Sequence, residues 1–226
     1  VGVKKNDKSI WRRDKMIMTC KYPKKYERNW KLPNNTSICF RPIKTEDEDL
    51  WLEMFSSFSE ESVRNRFFRL IKNPSHQVSH RFCHIDYDSE LAIVAEMTEN
   101  YHKRLVGVIR LIVQKDMNNG EVSFIVVDQW QGFGIGEKLL DYMLEICRER
   151  NLKTVYALTL PDNFITINLL KKKGFILKHH NDYVTTAILN LVTQKSKSNA
   201  LQASNKVNRI RENSQTEILP SLTKSK

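Results

Sequence analysis

Glycine is scarce in this chain, with seven among 226 residues. Its backbone freedom is useful only where φ must be positive or something must come close, and elsewhere it costs conformational entropy. Cysteine is sparse too. Cys20, Cys39, Cys83 and Cys147 are widely spaced and form no C-x-x-C pair, which argues against a disulfide framework and for reduced thiols in a cytosolic setting. The longest apolar runs are strand-length, so the reading expects no membrane span and no secretory signal.

Acidic residues are short only at the two ends. The net charge is +11, yet residues 1–31 hold eleven Lys or Arg against three acids and residues 193–226 hold seven against two, while the centre has nineteen against twenty-one. Three segments follow: a basic arm over 1–35, a near-neutral domain over 36–192, and a basic tail over 193–226 without hydrophobic pattern. Such arms are solvated tails in the plainer view. They also offer weak attraction to nucleic acid or an acidic surface.

The central segment changes period as it proceeds. "TSICFRPIK" alternates like a strand, and Thr45 with Glu48 predicts a capping box ahead of the helix in "EDEDLWLEMFSSF". Ser59 begins a second helix, "EESVRNRFFRLI", and "SHQVSHRFCHI" follows Pro74 as a third. "ELAIVAEMT", "RLVGVIRLIVQ" and "GEVSFIVVD" are β-branched strands with short connections, the pattern of an antiparallel meander. An amphipathic helix, "EKLLDYMLEICRERN", leads to the strand "TVYALTL". The helix in "DNFITINLLKKKG", with Asp162 as its expected cap and Gly174 as its stop, precedes two closing strands, "FILKHH" and "TTAILNL".

Three of the seven glycines fall within six residues, QGFGIG, Gln131 to Gly136. This loop lies between a strand and a helix N-terminus, where unpaired backbone N–H groups and the helix dipole favour a phosphate or pyrophosphate. A nucleoside-triphosphate loop needs Lys and a hydroxyl after its last glycine, and Glu137 stands there instead. A dinucleotide fingerprint needs G-x-G-x-x-G in an early βαβ unit, and neither the spacing nor the meander fits.

"VVDQWQGFGIG" ahead of an amphipathic helix resembles motif A of the GNAT acyltransferases, Q/R-x-x-G-x-G/A. Asn163 with Gly174 and Phe175 is similar to that family's N-x(10)-G-F. The resemblance covers about Thr36 to Leu191 and is nearest to the Pat-type protein lysine acetyltransferases, a branch often fused behind an acyl-CoA-synthetase-like, ATP-grasp-containing region. "FSEESVRNRFF" and "HIDYDSELAIVAE" carry that nearer likeness, and "KYPKKYERNWKLPNN" resembles the join before the domain.

The resemblance implies an α+β GNAT fold, a mixed and mostly antiparallel sheet flanked by helices, and acetyl-CoA as co-substrate. Its donor site would comprise Val126, Val127, Gln131, Gly132, Phe133, Gly134, Ile135, Gly136 and Asn163. The pyrophosphate would sit on the loop, the thioester carbonyl near the Val126 N–H, and the pantetheine arm against Asn163. Glu121 matches the branch's general base. Many relatives carry a tyrosine acid seven residues beyond this asparagine, where this chain has Leu170.

The acceptor is expected to be a lysine of a protein substrate. A small amine remains open, as does a non-catalytic module that senses acyl-CoA or associates with RNA. His76, His80 and His84 form a stripe at helical spacing, but its outer pair is about 12 Å apart along the axis, and no metal is expected.

Overall fold

A computed structural model describes residues 21–32, 35–99, 101–114, 117–179 and 183–191. The tail over 193–226 and the first twenty residues, Cys20 included, lie outside them. Eight strands form one sheet: β1 (Arg28–Lys31), β2 (Ser37–Pro42), β3 (Glu90–Glu99), β4 (His102–Val113), β5 (Asn119–Val126), β6 (Thr154–Thr159), β7 (Ile176–His179) and β8 (Thr185–Asn190). Their spatial order is β1-β2-β3-β4-β5-β6-β8-β7. All neighbours are antiparallel except β5 and β6. The expected α+β architecture is the observed one.

Helices cover both faces, so the central strands read as near-continuous apolar runs rather than as alternating ones. Leu91, Ile93, Ala95 and Met97 of β3 join the core beneath α4 (Ile135–Glu149), with Leu139, Met143 and Cys147 from that helix. Ala92 and Val94 turn to the opposite core. There they meet side chains from α1 (Glu48–Ser56), α2 (Glu60–Phe67) and α3 (His76–Cys83). α5 (Phe164–Lys172) sets Leu170 into the core beneath α4, and Phe175 follows it there.

The predicted arm over 1–35 is corrected at its C-terminal part. Arg28–Lys31 pairs along β2, Arg28 opposite Phe40 and Lys31 opposite Ser37. Tyr26 and Leu32 are buried in the main core, and Arg28 stacks its guanidinium on the Tyr142 ring of α4. The stretch looks like an arm because its four strand residues have only one half-buried side chain, Trp30. Its stability comes from pairing with a distant strand, which leaves no local period.

The turn into α1 also differs from expectation. Thr45 and Glu48 form no reciprocal cap; Asp47 instead accepts the Lys44 N–H at 2.7 Å. Asp47 also takes Arg41 Nη1 and Nη2 at 2.7 and 2.9 Å. The same guanidinium reaches Glu96 Oε2 on β3 at 2.7 and 2.8 Å. These three side chains are buried. Pairing is what makes their desolvation tolerable, and removing one partner of such a group costs about 3–5 kcal/mol.

Burying Tyr26 and Leu32 stabilises the fold by about 1.5–3 kcal/mol each. A chain starting at residue 36 is therefore expected to melt on the order of 10 °C lower than one starting at residue 21, a difference that differential scanning calorimetry would register. Equal melting temperatures would return β1 to the status of a dispensable arm.

Candidate active site

The parallel pairing of β5 with β6 is short. Asn119, Gly120 and Glu121 face Thr154, Val155 and Tyr156, and no further pairs follow. Beyond that point the strands diverge, and a cleft of about 480 Å³ opens between them. It is lined by Glu121 to Val126 on one side and Ala157 to Thr159 on the other, with α2 and the glycine loop at its ends.

The divergence leaves one edge of β5 without a strand partner. The Val127 N–H donates to Val106 O at 2.9 Å, towards β4. Alternation along an antiparallel strand then turns the N–H groups of Phe124 and Val126 to the opposite edge, into the cleft. Val127 itself is buried beneath α1–α3 and does not line the cleft. Its expected place in the donor site is corrected accordingly.

The loop behaves as its glycines predict. Gly132 and Gly134 have φ of +82° and +83°, the left-handed region that L side chains enter only with strain. Gly134 is the N-cap of α4 and has no side chain with which to cap it. Lys138 N is the first to return to the loop, reaching Gly134 O at 3.0 Å. The N–H groups ahead of it are the orphan donors of a fifteen-residue helix, a set that fits a pyrophosphate without any side chain. A Cβ at Gly132 would meet nothing within 4 Å, and one at Gly134 only the Trp30 ring at 3.9 Å.

Gln131 has a structural task. Its Nε2 donates to Val126 O at 3.0 Å and to Ser62 Oγ at 3.3 Å, tying the loop to β5 and α2. Asp128 completes this clamp by accepting from Ser59 N, Ser59 Oγ and Ser62 Oγ at 3.0, 2.6 and 2.9 Å. Burial works to raise the Asp128 pKa, and these bonds outweigh it and hold the carboxyl below its ordinary value. Phe133 does not line the cleft; it is 41% exposed and packs against Trp130.

Gly134, Ile135 and Gly136 line the cleft, as does Asn163. Asn163, not Asp162, caps α5, its Oδ1 accepting from Thr166 N at 3.1 Å. Its amide NH2 remains free of that cap to meet a ligand. Asp162 instead pairs with Arg64 of α2 at 3.0 Å. Glu137, in the first turn of α4, would oppose an anion there. Lys173 and Lys172 bond it, drawing its pKa down to about 2 and cancelling its charge locally.

At the far end of the cleft stands half-buried Glu121. The Tyr156 hydroxyl donates to its Oε2 at 3.3 Å and accepts from Gln114 Nε2 at 2.8 Å. Burial, and then the Glu121 charge, raise the Tyr156 pKa, so the phenol stays a hydrogen-bond donor. Sequence reasoning missed Tyr156, Gln114 and Arg66. The first was findable once β5 and β6 were aligned as parallel neighbours. Leu170, where a tyrosine acid would stand, is fully buried.

The histidine stripe splits. His80 and His84 stack with ring centroids 3.7 Å apart, and His84 Nε2 lies 2.8 Å from Glu48 Oε1. Ligand atoms of these three groups lie within 4.8 Å of one another, a closeness that the spacing of the outer pair did not suggest. Parallel rings present their lone pairs side by side rather than to one point. The group clasps α1 to α3 and does not line the cleft.

The profile of the acetyltransferase (GNAT) family matches residues 48–175, and the chain belongs to that family. It is an N-acetyltransferase with acetyl-CoA as co-substrate. An acetyltransferase of Pseudomonas aeruginosa is 24% identical over 157 residues, 70% of this chain and 84% of its own length. The GNAT domain of S. lividans PAT superposes with a TM-score of 0.68 at 25% identity, over 75% of this chain and 99% of that one. A Vibrio cholerae spermidine N-acetyltransferase in complex with CoA and spermine shares the fold, with a TM-score of 0.56 at 19% identity over 69% and 96%. No described helix is long and apolar enough to cross a membrane.

Gly134→Val forces a β-branched chain into a left-handed conformation beside the orphan N–H groups. Acetyl-CoA affinity by titration calorimetry is expected to fall at least about tenfold while the far-UV spectrum keeps its shape. Undiminished affinity would take the loop out of the donor site.

Proposed function

We propose that this protein transfers the acetyl group of acetyl-CoA to the ε-amine of a lysine in a protein substrate, with Glu121 as general base. One observation carries the reading: the glycine loop, the unpaired edge of β5 and Glu121 all line one cleft. In this reading the pyrophosphate is held by the N–H groups at the start of α4. The pantetheine arm lies along β5 as an added strand and meets the amide of Asn163.

A lysine of pKa ~10.4 is neutral only about once in a few thousand molecules at pH 7. Glu121 takes the ammonium proton, directly or through one water, and the neutral amine attacks the thioester carbonyl. The developing oxyanion is stabilised by a backbone N–H of the cleft edge. Distance favours Phe124 over Val126 for this donor. At about 3.3 Å per residue they lie roughly 10 and 17 Å along the strand from Glu121, and only the shorter gap is spanned by a glutamate side chain and an acceptor amine. The leaving thiolate, with a pKa near 8.5, departs without an acid, consistent with Leu170.

The likeness to the S. lividans PAT domain and the Pat-type motifs support a protein acceptor. The spermidine enzyme, at lower identity, shares the fold alone. Association of the basic ends with nucleic acid is a separate and weaker reading that rests on charge.

Glu121→Gln is expected to lower kcat on a lysine peptide by ~10²–10⁴ at pH 7, with acetyl-CoA affinity nearly unchanged. The deficit should narrow towards pH 9.5, where hydroxide supplies the neutral amine. Stopped assays at both pH values, with mass spectrometry of the peptide, decide the point. Full activity at pH 7, or the same fractional loss at both pH values, would remove Glu121 from the mechanism.

A further inference from the structure

Among the described residues that line the cleft, Arg66 is the only lysine or arginine. Its own helix gives it no partner. Helical neighbours stand three and four residues away; on the N-terminal side these are Val63 and Ser62, and on the other side the helix ends at Phe67. Glu61 is five residues back, round the helix from it. Among the described residues no carboxylate lies within 4.0 Å of its guanidinium, and its one charge contact is with the neighbouring Phe67 ring. The other arginines nearby are taken: Arg64 by Asp162, and Arg110 by Glu90 and Phe82 O.

The environment of Arg66 fixes which end of the cleft it serves. Burial, and then nearby Arg110, lower its pKa to about 10, against the opposing pull of the Glu121 charge. Arg110 sits opposite Ser123 in the β4–β5 register. Side chains of alternate strand residues share a face, so Glu121, Ser123 and Ile125 all point to the helices α1–α3, and Arg66 descends on them from α2. This is the transfer end. The donor's pyrophosphate belongs at the loop, beyond the opposite end of β5.

A half-buried guanidinium without a counter-ion is unfavourable in the free protein. The carboxylates nearer the loop cannot relieve it, since Asp128 is held by Ser59 and Ser62 and Glu137 by Lys172 and Lys173. We infer that Arg66 is a carboxylate-binding subsite for the acceptor, which therefore carries an acidic group beside the amine that reacts. In a protein that group is an Asp or Glu flanking the acceptor lysine. The pair Glu121 and Arg66 then reads an ammonium and a carboxylate together. A polyamine, which has only cations to offer, meets repulsion at Arg66. The inference rests on the acetyl-transfer reading above and narrows its substrate class.

The test uses two lysine peptides identical except for the flanking residues, Glu in one and Gln in the other, together with their acetyl-lysine products as non-reacting ligands. The Glu-flanked peptide is expected to have a kcat/KM about tenfold higher, carried mainly by KM, and its product to bind more tightly by fluorescence anisotropy. Arg66→Gln should abolish both preferences without changing acetyl-CoA affinity. Arg66→Lys, a point charge without the planar fork, should retain part of them, and it serves as the variant of record if Arg66→Gln fails to fold.

Spermidine should be the poorest acceptor of the three. Equal binding of the two product peptides, or faster acetylation of spermidine than of the Glu-flanked peptide, would overturn the inference while leaving acetyl transfer intact. An Arg66 variant that altered only the ratio of succinyl-CoA to acetyl-CoA use would assign the carboxylate to the acyl group and overturn it too. If neither peptide is acetylated although the product peptides keep the Glu preference, the transfer reading falls and the subsite stands.

Discussion

β5 and β6 hold each other over three residue pairs and then part, and everything that can react in this protein follows from that limit. Parallel pairing continued to Val126 would bury the N–H groups of Phe124 and Val126 in a ladder and leave no space between the strands. Divergence exposes backbone donors at a central position of a sheet, where they are otherwise satisfied. The exposed edge needs a partner, and in the proposed reading an extended molecule with amide groups of its own, as pantetheine is, supplies one by strand addition.

An opened sheet needs bracing, and the bracing is polar and remote in sequence. Ser59 and Ser62 at the start of α2 hold Asp128, while Gln131 bridges Ser62 to Val126 O. The same helix carries Arg66 one turn further on, so α2 both ties down the loop and lines the cleft. On the opposite edge of the sheet the buried Arg41, Asp47 and Glu96 join β2, β3 and the entry to α1. The scaffold beneath the cleft is thereby rigid on the side away from it.

The donor half of the candidate site could be proposed from the sequence because it is made of consecutive residues. Gln131, Gly132, Gly134 and Gly136 need only a strand before them and a helix after, and both announce themselves by hydrophobic period. Asn163 was legible through its distance from Gly174 and Phe175, but not its bonding. An N-cap is decided by which oxygen reaches an N–H, and Asp162 and Asn163 are equally good on paper. Val127 and Phe133 were drawn in by adjacency. Strand alternation and local packing turn them away. β1 escaped because its four residues are held by β2 and capped by Trp30 against Phe40, contacts that no window of sequence contains.

The acceptor half was not legible for a related reason. Arg66, Glu121 and Tyr156 come from three elements separated by tens of residues, and only the β5–β6 register and the descent of α2 bring them together. Each alone has a plain reading: a helix-surface arginine, a strand-end acid and a strand tyrosine. Their meaning lies in charge balance at one place. Tyr156 occupies one oxygen of Glu121 as a donor that does not neutralise it, so the carboxylate can still receive a proton. Arg66 stands too far away to pair with that carboxylate and close enough to feel its charge. Were the two in contact, the salt bridge would hold Glu121 ionised and weaken it as a base. In the proposed reading, separation keeps both charges available, one for the amine that must lose a proton and one for the acid group beside it.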